Sequence, residues 1–288
     1  MDTFELNDWI FSQSSPLADS SIATSQAKIS VVIPVHNQES QISKLLTNVK
    51  KILNSTLQRY EIVIVNDGSY DNTLQILKKE ELLDPSIIVI SYMPNRGKGH
   101  AVKTGVMRAS GSIVIFADGD FDISHDRIKE YIEELKRCDL VIASKRHPLS
   151  KVHAPVSRKF LSRVFNLLVR LAIGIKIKDT QSGLKAGNGA ALRTIFSVMS
   201  VKRYAFDVEL LTIASTMNLK IMELPIEITL DHNFRIQDIA KMLLDLTAIS
   251  YRHRIRKWYK KQLFYYFFHL QRTMNVRERD REKNSTYS

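Results

Sequence analysis

β-Branched apolar runs ending in Asn, Asp or Gly alternate with stretches of helical periodicity, and this alternation predicts an α/β fold. The expected architecture is a Rossmann-like, mostly parallel central sheet with helices on both faces, followed by C-terminal amphipathic helices. Length and composition agree, since 288 residues, 44% hydrophobic and 25% charged, suffice for one substantial core. Only Cys138 is present, which excludes an internal disulfide framework and a cysteine-based zinc site.

Residues 1–27 are Ser-rich without sustained periodicity and read as a flexible leader. From Lys28 the elements follow in order. Ile29 to Val35 is a strand, then Ile42, Leu45, Leu46, Val49 and Leu53 mark a helix. Glu61 to Val65 is a second strand, stopped by Asn66-Asp67-Gly68-Ser69, with Asp71 as N-cap of a helix through Leu74 and Leu77. Ile87 to Ile90 is a third strand. After Asn95-Arg96-Gly97-Lys98-Gly99 come a helix through Ala101, Gly105 and Met107 and a strand from Ser112 to Ala117. Beyond Val141 a long amphipathic helix is expected, with Leu161, Val164, Phe165, Leu168, Leu171, Ala172 and Ile175 on its apolar stripe and Lys159, Arg163, Asn166 and Arg170 on another face. Helices near Ala190 to Val198 and Phe206 to Met217, then a strand-like Lys220 to Thr229, complete a domain spanning 28–232. Residues 233–288 read as basic amphipathic helices and tail.

The net charge of +12 attracts polyanions: nucleic acid, an anionic membrane or phosphate-bearing substrates. It is regional. Lys145 to Lys178 holds nine Lys or Arg and no acidic residue, and from His232 to the end thirteen oppose five. No nucleic-acid module accompanies it, so no nucleic-acid partner is expected. The first ten residues lack a secretory pattern, and no stretch approaches the roughly 18 apolar residues of a membrane span. In the tail, Ile236, Ile239, Ala240, Leu243 and Thr247 line one helix side, followed by basic residues from Arg252 to Lys261 and the aromatic run Leu263 to Phe268. This pattern fits peripheral attachment to an anionic membrane surface; completion of the core or of an oligomer contact is the alternative.

Asp118-Gly119-Asp120 and Asp122 offer hard oxygen ligands suited to Mg²⁺ or Mn²⁺, although an Asp-Gly turn alone would look the same. Gly97-Lys98-Gly99 is no P-loop, because Tyr92 stands where its first glycine belongs. In sequence, however, Val32-Ile33-Pro34-Val35-His36-Asn37, Val65-Asn66-Asp67-Gly68-Ser69, Asn95-Arg96-Gly97-Lys98-Gly99, Asp118-Gly119-Asp120 and Asp179-Thr180-Gln181-Ser182-Gly183 together resemble glycosyltransferase family 2. With Arg203 to Glu209 added, the set is most similar to the dolichyl-phosphate glucosyltransferase and dolichol-phosphate mannose synthase branch.

The resemblance implies a GT-A fold and an inverting transfer of a hexose from a nucleotide-sugar, UDP-glucose before GDP-mannose, onto a polyprenyl or dolichyl phosphate. A family 2 transferase with a soluble acceptor is the remaining alternative. It implies that Pro34, His36 and Asp67 line the nucleotide pocket with Lys98, Asp67 accepting a hydrogen bond from the base. Asp118 and Asp120 would face ribose and metal, with Asp122 a third ligand for Mg²⁺ or Mn²⁺. Asn66 replaces the first of two frequent aspartates. Lys145 takes the place of a family arginine, and Arg158 with Ser162 matches an acceptor-phosphate motif. These two are one helical turn apart and can grip one phosphate together. A peripheral enzyme on the cytoplasmic face of a membrane is the expected setting, with oligomeric state left open.

Overall fold

In a computed structural model, residues 27–56, 59–117, 125–181, 183–201, 205–229 and 236–285 are described. Residues 1–26 of the expected 1–27 leader and the triplet Asp118, Asp120 and Asp122 lie outside them. The α/β expectation is met by a seven-stranded sheet in the order β3-β2-β1-β4-β7-β5-β8. Its strands are β1 (Ile29–Val35), β2 (Tyr60–Asp67), β3 (Ile87–Tyr92), β4 (Ile113–Phe116), β5 (Leu140–Ser144), β7 (Lys185–Asn188) and β8 (Ile221–Pro225). All pairings are parallel except the two made by β7, which runs against β4 and β5.

The first half follows the sequence closely. Every residue of β1 is buried, as expected for a strand covered on both faces. Val32 joins the core on one face of the sheet, and Val31 and Ile33 join the core on the other. Helix α1 (Ile42–Asn54) buries the five residues that its periodicity singles out, Ile42, Leu45, Leu46, Val49 and Leu53. Each contributes roughly 1.5–3 kcal/mol by leaving water. In α2 (Thr73–Leu83) the N-cap is Asn72, but Asp71 still serves the helix start, its carboxylate accepting from Thr73 N at 3.0 Å. Helix α3 (Lys98–Arg108) follows, and α4 (His125–Glu134) is an element beyond those the sequence pattern marks.

The second half departs more. Helix α5 (Val156–Ile173) buries Phe165, Asn166, Val169 and Ile173, so its inner face is rotated from the expected apolar stripe, and Asn166, placed on a polar face, is wholly enclosed. The strand expected over Lys220 to Thr229 divides at Pro225 into β8 and β9 (Glu227–Thr229), and β9 pairs with β6 (Lys151–His153) in a small separate sheet. Helices α6 (Gly189–Val198) and α7 (Phe206–Thr216) cover one face of the main sheet.

Beyond residue 232, α8 (Ile236–Ser250) packs on α5, a π-helical turn spans Tyr251–Ile255, and α9 (Trp258–Ser285) packs on α6 and α7. Tyr259, Leu263 and Phe267 of α9 enter the same core as the sheet. These residues of the tail therefore complete the core, the alternative to lying in a bilayer, whereas Tyr265 and Phe268 are exposed. No helix among the described residues is long and apolar enough to cross a membrane.

Candidate active site

β1 lies between β2 and β4, and the carboxyl ends of these three parallel strands share one edge at the point where strand order reverses. Open α/β sheets bind ligands at this carboxyl edge. Pro34 is buried in β1 opposite Val65, and His36 stands exposed just past the strand, edge-on to Tyr70 at 6.1 Å. The β1 and β2 loops are stitched together: Asn37 N donates to Ser69 Oγ at 2.9 Å, Tyr70 N to Asn37 Oδ1 at 2.8 Å, and Gln38 N to Thr73 Oγ1 at 2.8 Å.

Asp67 closes β2 and is nearly enclosed. Its Oδ1 accepts from Arg96 N at 2.8 Å, its Oδ2 from Gly97 N at 3.0 Å, and its carbonyl from Asn95 Nδ2 at 2.9 Å. Gly68 permits this approach. It has φ +69°, and a Cβ there would meet Asn95 N at 2.5 Å. Asp67 thus holds the Asn95–Gly97 loop while its carboxylate keeps acceptor capacity beyond these two bonds. Burial, then the Asp67 carboxylate beside it, pushes the Tyr92 hydroxyl well above its ordinary pKa. Asn66, in place of a family aspartate, donates to Ser91 Oγ at 3.0 Å and accepts from Ser69. Lys98 opens α3, its Nζ 5.7 Å from the centre of the Phe206 ring.

A second cluster gathers at the carboxyl end of β5. The backbone N–H of Lys145 donates to Asp179 Oδ2 at 2.9 Å, and its Nζ lies 3.2 Å from the same oxygen and bonds the carbonyl of Gln181. Asp179 is fully buried, its own N–H donating to Glu223 Oε1 at 3.1 Å. Asn166 joins α5 to this loop: Oδ1 accepts from both Thr180 N and Thr180 Oγ1 at 2.9 Å, and Nδ2 donates to Ser162 O at 2.8 Å. Arg146 Nη2 reaches the same carbonyl at 3.1 Å; burial lowers the Arg146 pKa. Arg158 and Ser162, both half-buried, lie one turn apart on α5, and the Ser162 carbonyl joins this network.

Between the clusters, Lys185 of β7 forms a buried ion pair with Asp207 of α7 at 2.6 Å and lies 5.7 Å from the Phe116 ring at the end of β4. Asp118, Asp120 and Asp122 belong to the stretch after β4 and lie outside the described residues. Among the described residues, no group of three or more His, Cys, Asp or Glu could hold a metal ion.

The family model for glycosyl transferase family 2 matches residues 30–196, from β1 into α6. The chain belongs to glycosyltransferase family 2. This family 2 transferase is 30% identical over 249 residues to a dolichyl-phosphate beta-glucosyltransferase of Trichomonas vaginalis, covering 81% of this chain and 74% of the relative. It is 32% identical over 244 residues to the dolichyl-phosphate beta-glucosyltransferase of Saccharomyces cerevisiae, covering 77% and 71%. Among solved structures, it superposes with a TM-score of 0.59, at 20% identity and 82% coverage of both chains, on glucosyl-3-phosphoglycerate synthase from Mycobacterium tuberculosis in complex with Mn²⁺, UDP and glucosyl-3-phosphoglycerate. The likeness bears out the GT-A fold.

The structure brings Pro34, His36, Asp67 and Lys98 to one edge and places Lys145 in a second cluster that the Ser162 carbonyl joins, with Arg158 one helical turn away on α5. It adds Asn166, Glu223, Lys185 and Asp207. Asp179 stands in a family motif and was legible there. Asn166 had no signal, since a helical Asn three residues from an Arg looks like solvated surface.

Proposed function

We propose that this enzyme transfers glucose from UDP-glucose to dolichyl phosphate or a related polyprenyl phosphate, with inversion. The observation that carries the acceptor reading is α5. The helix bearing Arg158 and Ser162 also exposes Val156, Phe160, Val164, Leu167 and Leu171, at the spacing of one helical stripe; Val156 is 84% and Leu171 65% exposed. Soluble monomers rarely display such a face, and a phosphate grip beside it suits an acceptor with a long apolar chain. Identity of about 30% to dolichyl-phosphate beta-glucosyltransferases supports the same reading.

In this reading a phosphate oxygen of the acceptor attacks the anomeric carbon as the bond to UDP breaks. The nucleophile is already anionic near neutral pH, its second pKa being about 6, so no side chain need remove a proton. Asp67 would accept from the base with its remaining lone pairs, beside Pro34 and His36. Lys98 would offset the diphosphate charge, and Lys145, Arg158 and Ser162 would hold the acceptor phosphate. Asp118, Asp120 and Asp122 are hard oxygen donors that fit Mg²⁺ or Mn²⁺, which when bound would neutralise charge on the leaving diphosphate.

Beside this stripe, Leu168 and Ala172 of α5 line one groove with Leu243, Tyr251 and Ile255 from α8 and the π-helical turn, and Leu244, Lys159, Arg163, Arg256 and Lys257 are exposed. This apolar face with a basic border is the reading for peripheral attachment to an anionic membrane. The deciding assay incubates the purified protein with dolichyl phosphate, Mg²⁺ or Mn²⁺ and labelled nucleotide-sugars. Label from UDP-glucose should become extractable into organic solvent. Transfer from GDP-mannose alone, or only to a water-soluble acceptor, would overturn the assignment.

A further inference from the structure

The last four carbonyls of an α-helix have no donor within the helix. In α5 these belong to Arg170, Leu171, Ala172 and Ile173. Gly174, in the left-handed region at φ +87°, turns its N–H back to Arg170 O at 2.8 Å. The next two carbonyls are met by side chains from far along the chain: Arg254 Nη2 donates to Leu171 O and Ser250 Oγ to Ala172 O, at 2.8 and 2.9 Å. Arg254 Nη2 lies against this turn, 3.4 Å from where a Cβ of residue 174 would stand, an ordinary contact distance. Its charge at the negative end of the α5 dipole adds to the cap.

Ser250 and Arg254 belong to the junction of α8 with the π-helical turn. Arg252, between them, points the other way. Its Nη1 donates to Glu209 Oε1 at 2.9 Å and also bonds Ser200 Oγ. Glu209 is wholly buried in α7 and also accepts from Val201 N at 2.7 Å, Ser200 N at 3.0 Å and the Tyr259 hydroxyl at 2.7 Å. One short stretch of backbone therefore grips the end of α5 on one side and the start of α7 on the other. π-Helical turns interrupt regular helices and are frequent where function needs a special side-chain direction.

We propose that Ser250 and Arg254 are positioning residues for sugar transfer: by capping α5 from a turn locked to Glu209, they fix the Arg158–Ser162 grip relative to the donor edge. The inference rests on α5 being the acceptor helix and goes beyond it by naming what sets that helix's register. An 18-residue α5 is a rod, so play at its capped end displaces the phosphate ligands at the other.

The test compares the Ser250→Ala, Arg254→Gln double variant, Arg254→Lys and wild type in detergent with UDP-glucose and dolichyl phosphate. The double variant should lose on the order of tenfold in kcat/KM for the acceptor, as when reacting groups are misplaced by less than an ångström. Its KM for UDP-glucose, and any background hydrolysis of UDP-glucose by water, should stay at wild-type values, and Arg254→Lys should keep most of the wild-type kcat/KM. Wild-type acceptor kinetics in the double variant overturn the proposal. So does a parallel fall of transfer, donor hydrolysis and Tm, which a merely structural cap would give. Arg158→Ala in the same assay separates the two layers: if it leaves acceptor KM unchanged, the acceptor reading fails and this inference with it.

Discussion

Lys185 Nζ lies 2.6 Å from Asp207 Oδ1, with both side chains withdrawn from solvent where β7 passes under the start of α7. Breaking a buried pair by removing one partner leaves the other charge stranded, which costs about 3–5 kcal/mol. Lys185→Met should therefore lower unfolding stability by that amount in urea titration. The Lys185→Met, Asp207→Leu double variant should recover a large part of it. A single variant as stable as wild type would show that the pair contributes little to holding α7 on the sheet.

At the opposite edge of the sheet, Glu61 accepts from Lys28 Nζ at 2.5 Å, Ser30 Oγ at 2.6 Å and Ser110 N at 2.6 Å. Burial alone would raise its pKa, but hydrogen bonds from Lys28, Ser30 and Ser110 outweigh it and hold the carboxyl at about 2, below the ordinary 4.5. A carboxyl depressed on folding contributes stability above its unfolded value and loses it as pH falls toward its folded one. Acid unfolding of the wild type should steepen between about pH 4.5 and 2, and Glu61→Gln should flatten that slope while lowering stability at neutral pH.

How far the sequence could be read differs between the two halves. Strands β1, β2 and β4 declare themselves because they are buried on both faces, and β3 and helix α1 because their apolar residues recur at strand or helix spacing on the side that is buried, so pattern and environment coincide. β7 carries no such pattern: Lys185-Ala186-Gly187-Asn188 forms a strand because β4 and β5 both offer it ladder partners, a tertiary cause invisible locally. Helix α4 does space Ile128, Tyr131 and Ile132 helically, with Leu135 just past its end, but among many charges. The carboxyl-edge residues Pro34, His36, Asp67 and Lys98 were legible through family motifs, whereas the enclosure of Asn166 depends on Thr180, fourteen residues away.

The tail separates two roles that sequence pattern merges. Leu263 is fully buried, so Leu263→Ala should cost about 2–5 kcal/mol in unfolding stability. Phe160 is 64% exposed, so Phe160→Asp should leave stability within about 0.5 kcal/mol of wild type while weakening flotation with anionic liposomes. Flotation that survives Phe160→Asp combined with Leu244→Asp would remove the α5–α8 face as the membrane contact.

Asp67 receives two backbone amides from the Arg96–Gly97 loop. Asp67→Asn keeps the shape but turns an NH₂ toward one of those N–H groups, leaving a donor without an acceptor at a cost of about 1–3 kcal/mol. Amide hydrogen exchange at Arg96 and Gly97 should accelerate and KM for UDP-glucose should rise. Unchanged exchange with a raised KM would instead locate the effect in direct contact with the nucleotide.

The reversed strand β7 has a consequence for how such an enzyme can diversify. Within the sheet, the half carrying Asp67 and the β1 and β2 loops meets the half carrying Lys145 along one ladder of four residue pairs, Ile113–Phe116 against Lys185–Asn188. Substitutions accumulating in α5 or after β5 leave the strand register on the far side of that seam intact. On the proposed division of donor and acceptor residues, lineages built on this frame can exchange one recipient for another without disturbing the strands that present Asp67.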